Sequence, residues 1–131
     1  METQILEKIP DSRLRAYVVW VPVLRAGPFE STAHDESGRV ADPRATQFLD
    51  PDGQLSKAYA SVIHLPRYLP AWDVYFVFGP ESHWAEGQGS DQPPAPTYWM
   101  HQLGRSAPAE LTLNADQLAR VVSGLLSKVK E

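Results

Sequence analysis

Cysteine is missing from all 131 residues. That excludes disulfides, thiolate metal sites, iron–sulfur clusters and cysteine nucleophiles. It leaves the redox compartment open, because a chain without thiols is indifferent to it. Clustered positive charge is also lacking. No basic run exceeds two adjacent residues, and 12 basic against 16 acidic residues give a net charge of −4. Nucleic-acid binding, which needs grouped Lys and Arg to neutralise phosphates, is therefore not expected. No apolar run approaches the ~20 residues of a membrane-spanning helix. The N-terminal stretch Met1–Pro10 has no secretory pattern, which makes the cytoplasm the expected location.

What remains is an ordinary globular composition, 43% hydrophobic and 21% charged, in a chain long enough for one domain with a real core. The twelve prolines punctuate it. Residues 1–13 read as a short helix or arm with little to bury. The first strand covers 15–24, with its regular part at 16–21 because Pro22 cannot donate to a ladder. Tyr17, Val19, Val21 and Val23 alternate with Val18 and Trp20, so both faces are apolar. Such a strand is expected at the centre of a sheet covered on both sides. A short helix is expected over Glu30–Glu36, stopped by Gly38.

A second strand over 45–49 lies between the Asp42-Pro43 and Asp50-Pro51 turn signals. Asp50-Pro51 then predicts a helix start, with Asp50 as cap and Pro51 at the first position. Leu55, Ala58, Tyr59 and Val62 would form its apolar face, and it should end before Pro66. A strand over 73–78 is stopped by Gly79-Pro80. Residues 85–97 are rich in Gly, Pro, Ser and Gln and read as a loop. A strand over 98–103 follows, and the two strands should pair as an antiparallel hairpin across 79–97. For the last helix, Asn114 and Gln117 have capping-box spacing, and Leu113 with Leu118 that of a hydrophobic staple. Leu118, Val121, Val122, Leu125 and Val129 repeat on its apolar face. Lys128 and Lys130 suit its C-terminal dipole.

This order resembles the thioredoxin-like superfamily. More narrowly, the chain resembles a group of cysteine-free bacterial proteins of unknown function on that frame. The resemblance rests on Val19-Trp20-Val21-Pro22, Asp42-Pro43-Arg44 with Phe48 and Asp50, Ala71-Trp72-Asp73-Val74-Tyr75, and Trp99-Met100-His101-Gln102-Leu103. It implies a single-domain α/β fold: a central mixed β-sheet, built from a βαβ unit and an antiparallel β-hairpin, flanked by helices. It does not carry disulfide exchange, because the thiol positions after Trp20 hold Val21 and Leu24. Thioredoxins also place a cis-proline before the strand facing the active site. That position falls near Asp73 here, with Pro70 as the nearest proline.

In such a frame the end of the first strand lies near the start of the hairpin. Trp20, Trp72, Asp73, Tyr75, Trp99 and His101 are thus the candidate ligand or partner surface. Aromatic rings would supply contact area, and a carboxylate or imidazole would fix orientation. The competing reading is a packed tryptophan cluster with Asp73 capping a turn. A metal site from His64, His83, His101 and Asp73 lacks any close pair spacing. Hydrolytic and phosphate-binding motifs are missing, and no catalytic residue or cofactor is assigned. Trp84, Tyr98 and Trp99 bracket the loop and would suit a homodimer interface if they point outward. The expected function is a redox-inactive binding or protein-interaction module with a protein or small-molecule partner. The alternative is an enzyme using Asp73 or His101 as acid or base in an aromatic cleft.

Overall fold

Among the described residues, four short strands, two helices and three single helical turns make up a small mixed α/β domain. The computed structural model describes residues 2–22, 38, 40–83 and 93–130. The expected helix at 30–36, Trp84 and most of the 85–97 loop lie outside them. Strand β1 is Ala16–Trp20 and β2 is Ala45–Leu49. They pair in parallel, with Val18 beside Gln47. Strands β3, Val74–Val77, and β4, Tyr98–His101, form the expected antiparallel hairpin. Among the described residues these are two separate two-stranded sheets. Among the described residues no strand joins them into the expected single central sheet with β1 at its middle. Tyr17 of β1 is 67% exposed, so apolar character on both faces did not identify covered neighbours.

The hairpin is the middle layer of its half of the molecule, and strand alternation divides its contacts. Tyr75, Val77, Tyr98 and Met100 pack on one side with Leu118 and Val122 of the C-terminal helix. Val74 and Phe76 pack on the other with Tyr59, Ala60 and Ala71. The arm expected to bury little belongs to the first core. Glu2–Leu6 is a π-helical turn, and Ile5, Leu6 and Ile9 are buried. Ile5 and Ile9 pack in one cluster with Leu118 and Val122 of the C-terminal helix, a tertiary contact that local composition does not reveal.

Arg44 fastens that arm. Its Nε and Nη2 donate to the two carboxylate oxygens of Asp42, at 2.9 and 2.6 Å. Nη1 donates to the Ile9 and Asp11 carbonyls, and Nη2 also to the Leu6 carbonyl at 2.6 Å. One guanidinium thus closes a turn and holds three carbonyls of a distant segment.

Helix α1 is Gln54–Val62. It begins later than Pro51, because Asp50-Pro51-Asp52-Gly53 is a turn closed by the Gly53 N–H on the Asp50 carbonyl. Gly53, at φ 65°, supplies the left-handed residue. Asp50 still caps the helix: its carboxylate accepts from the N–H groups of Gln54, Leu55 and Ser56. The buried face is Ser56, Tyr59 and Ala60, rotated from the expected one. The rotation follows from a polar tie, Ser56 Oγ donating to the Ala71 carbonyl at 2.8 Å and Ala71 N–H returning to Ser56.

The end of α1 is a Schellman arrangement. Leu65 N–H donates to Ala60 and His64 N–H to Ser61. His64 occupies the left-handed position at φ 58°, where glycine is favoured. His64→Gly should raise stability by about 0.5–1 kcal/mol in urea unfolding. A loss of stability would contradict this reading of the cap.

Helix α2 is Ala115–Lys128. Asn114 Oδ1 accepts from Gln117 N–H as expected. The reciprocal half of the box is replaced: Asn114 N–H faces Met100 Sδ, and Gln117 Nε2 donates to the Tyr98 hydroxyl. Leu113 and Leu118 join one cluster, as a staple should. All peptide bonds of the described residues are trans, including that at Pro70.

Candidate functional site

Strand parity decides which candidates can share a surface. Val74 faces His101 across the hairpin, and Tyr75 faces Met100. His101 and Trp99 therefore lie on the α1 side and Tyr75 on the α2 side. The Trp99 and His101 rings are 5.7 Å apart. Trp20 ends β1 in the other sheet, and its Nε1 donates to Gln47 Oε1 at 3.0 Å. The six candidates do not line one cleft.

His101 is fully buried. Leu103 N–H donates to its Nδ1 at 3.1 Å, so the ring proton sits on Nε2. That Nε2–H donates to the Pro108 carbonyl at 2.6 Å. The Leu113 N–H also bonds the His101 carbonyl. The imidazole thus ties β4 to the two 3₁₀ turns Gly104–Ser106 and Ala109–Leu111. Neither ring nitrogen is open to a substrate.

Asp73 is exposed at the open end of the hairpin, with φ 54°. Its carbonyl accepts from Gln102 N–H. Tyr75 donates its hydroxyl to Gln102 Oε1 at 3.2 Å. Burial, followed by the nearby Asp73 charge, pushes the Tyr75 hydroxyl above its ordinary 10.0. Trp72 is half-buried, its N–H bonded to the Pro70 carbonyl. Asp73, Trp72 and Tyr75 are neighbours at the start of β3, and among the described residues they belong to no group of three His, Asp or Glu side chains.

The remaining histidines among the described residues do not converge. His64 is the exposed cap residue, and His83 Nδ1 bonds the Glu81 carbonyl. Among the described residues no three His, Asp or Glu side chains are grouped as metal ligands. A shallow hollow lined by Gln4, Ile5, Tyr75, Leu113, Ala115 and Leu118 offers only about 40 Å³, far below the ~300–1,000 Å³ of small-molecule sites.

A different feature is presented outward. Pro66-Arg67-Tyr68-Leu69 is a turn closed by Leu69 N–H on the Pro66 carbonyl at 2.9 Å. Its two ends are tied to α1 through Leu65–Ala60 and Ala71–Ser56 backbone bonds. Arg67 is exposed, and Tyr68 at the tip is 83% exposed. The proline pair at 66 and 70 was the available signal for such a turn. Among the described residues no helix is long and apolar enough to cross a membrane. No protein family matches the chain, and no curated protein or solved structure matches it.

Proposed function

We propose that this protein is a redox-inactive, thioredoxin-like protein-interaction module that engages its partner through the Arg67–Tyr68 turn. The reading of the frame is supported by a parallel strand pair, an antiparallel hairpin and a terminal helix in the expected order. The lack of thiols supports the absence of disulfide exchange.

The observation that carries the interaction reading is the mounting of Tyr68. A side chain 83% exposed contributes little to the core, yet both flanks of its turn are fixed to α1. Tyrosine and arginine are enriched among residues that dominate binding energy, and a fixed mount lowers the entropy lost on association. The partner is a protein with a pocket for the phenol ring and an acidic rim for Arg67.

Tyr68→Ala should leave stability unchanged within about 0.5 kcal/mol. A photoreactive phenylalanine analogue at position 68 should give one discrete adduct in the producing cell. Arg67→Glu should weaken that adduct about tenfold, and the same analogue at exposed Ser123 on α2 should give none. Equal labelling at both positions, or none at 68, would refute the assignment.

A further inference from the structure

Among the described residues the left-handed backbone region is held by Gly53 at φ 65°, His64 at 58°, Asp73 at 54° and Gly104 at 59°. Glycine enters that region freely, whereas a side chain brings its Cβ too close to a carbonyl oxygen. Gly53 and Gly104 are the residues the geometry favours. The other two positions carry an imidazole and a carboxylate, and they bracket the Pro66–Leu69 turn.

The usual compensation is missing at both. Asp and His enter this region more readily than most residues, and Asp does so where its carboxylate bonds nearby backbone. Among the described residues neither the Asp73 carboxylate nor the His64 ring makes a hydrogen bond or an ion pair, and both residues are exposed. Backbone bonds hold each conformation instead. His64 N–H donates to the Ser61 carbonyl, and the Asp73 carbonyl accepts from Gln102 N–H. A side chain kept in a disfavoured conformation, exposed and unbonded within its own chain, points to work outside the chain.

The two residues also stand together in the fold. Leu65 N–H is tied to the Ala60 carbonyl and Ala71 N–H to the Ser56 carbonyl, at 2.9 and 3.1 Å. Ser56 and Ala60 are one turn apart on α1, about 6 Å along its axis. The 65–71 loop therefore leaves and rejoins α1 at adjacent points. His64 directly precedes one foot, and Asp73 follows just after the other. Tyr68 and Arg67 are the exposed residues of the turn between them.

We propose, on the reading of Arg67–Tyr68 as the docking turn, that His64 and Asp73 are recognition residues at its feet, and that the partner is a protein acidic opposite Arg67 and basic opposite Asp73. A carboxylate only accepts, so Asp73 takes a Lys or Arg of the partner, while the imidazole offers ring nitrogens to its polar rim. Opposite charges on the turn and at its foot fix the direction of docking, which the Tyr68 ring alone does not.

The photoreactive analogue at position 68 supplies the test. In that chain, His64→Gly and Asp73→Gly should each raise Tm by about 2–5 °C and lower the yield of the adduct about fivefold. A side chain with only a structural role cannot give higher stability together with weaker binding. Asp73→Asn keeps a residue that tolerates the left-handed region but removes the charge. It should hold Tm within about 2 °C and lose the adduct as Asp73→Gly does. An adduct at 68 that both glycine variants leave intact would overturn the role of the feet and spare the docking turn. A lower Tm in either glycine variant would make the side chain structural and overturn it as well. No adduct at 68 in the parent chain would remove the turn and its feet together.

Discussion

His101→Phe is expected to destabilise the protein by about 2–4 kcal/mol in urea unfolding, with little change in the volume of the side chain. Phenylalanine fills the site but offers no nitrogen. The Leu103 N–H and the Pro108 carbonyl then lose their partners at 3.1 and 2.6 Å. Leaving a buried polar group unsatisfied costs about 1–3 kcal/mol each. Because His101 is fully buried, water cannot replace the lost bonds without opening the segment. Amides of the 103–113 segment should exchange faster in the variant, since the ring holds that segment to β4. A change below about 0.5 kcal/mol, the range of ordinary surface substitutions, would show that the imidazole is not a lock.

Arg44→Lys is expected to lower Tm by on the order of 10 °C and to release the N-terminal arm. Lysine keeps the charge but loses the planar fork. Arg44 uses all three nitrogens: Nε on Asp42, Nη2 on both Asp42 and the Leu6 carbonyl, and Nη1 on the Ile9 and Asp11 carbonyls. An ammonium cannot span a carboxylate and three carbonyls. The arm should then lose protection at the Ile9 amide, which bonds the Ile5 carbonyl, while β3 and β4 keep theirs. Unchanged exchange at Ile9 would contradict the clamp.

The same clamp sets an acid limb. Hydrogen bonds from the Arg44 side chain, then from its backbone N–H, lower Asp42 from 3.8 to about 2. Arg13 does the same to Asp11, also to about 2. A carboxylate held lower in the folded state contributes stability above its unfolded value and loses it as pH falls through the folded one. Stability should therefore decline between about pH 4 and pH 2, and Asp42→Asn should flatten that decline. An unchanged acid limb in the Asn variant, measured by circular dichroism, would show that Asp42 does not set it.

The elements were legible in the sequence where local chemistry determines them. Asn114 with the staple at Leu113 and Leu118, and the Gly79-Pro80 stop of the hairpin strand, act over a few residues. Both strands of the parallel pair also fell at their expected positions. What was not legible depends on contacts far apart in the chain. Ile5 and Ile9 are core only because Arg44 draws the arm onto α2. Ser56 is buried only because Ala71 answers it. Among the described residues the two sheets share no strand pairing, although the pattern of β1 suits a central strand.

The candidate site was readable as residue types and not as a place. Trp99 and His101 do meet, but Tyr75 lies on the opposite side of the hairpin and Trp20 in another sheet. Alternation along β3 and β4 gave their parity, yet nothing local says which backbone groups will occupy an imidazole. The Arg67–Tyr68 turn is not legible because Pro66 reads as a helix stop and Pro70 as the proline nearest the cis-proline position.

The central claim is that His101 is a structural lock and that the aromatic–polar group around it is packing, so recognition falls to the exposed turn. Long-range ¹H–¹⁵N NMR of the His101 ring at neutral pH tests this most directly. The expected result is a single tautomer with the proton on Nε2, slow to exchange with solvent, and Nδ1 as acceptor. A proton on Nδ1, or a ring that exchanges freely with solvent, would contradict it and return His101 to the candidates for acid–base chemistry.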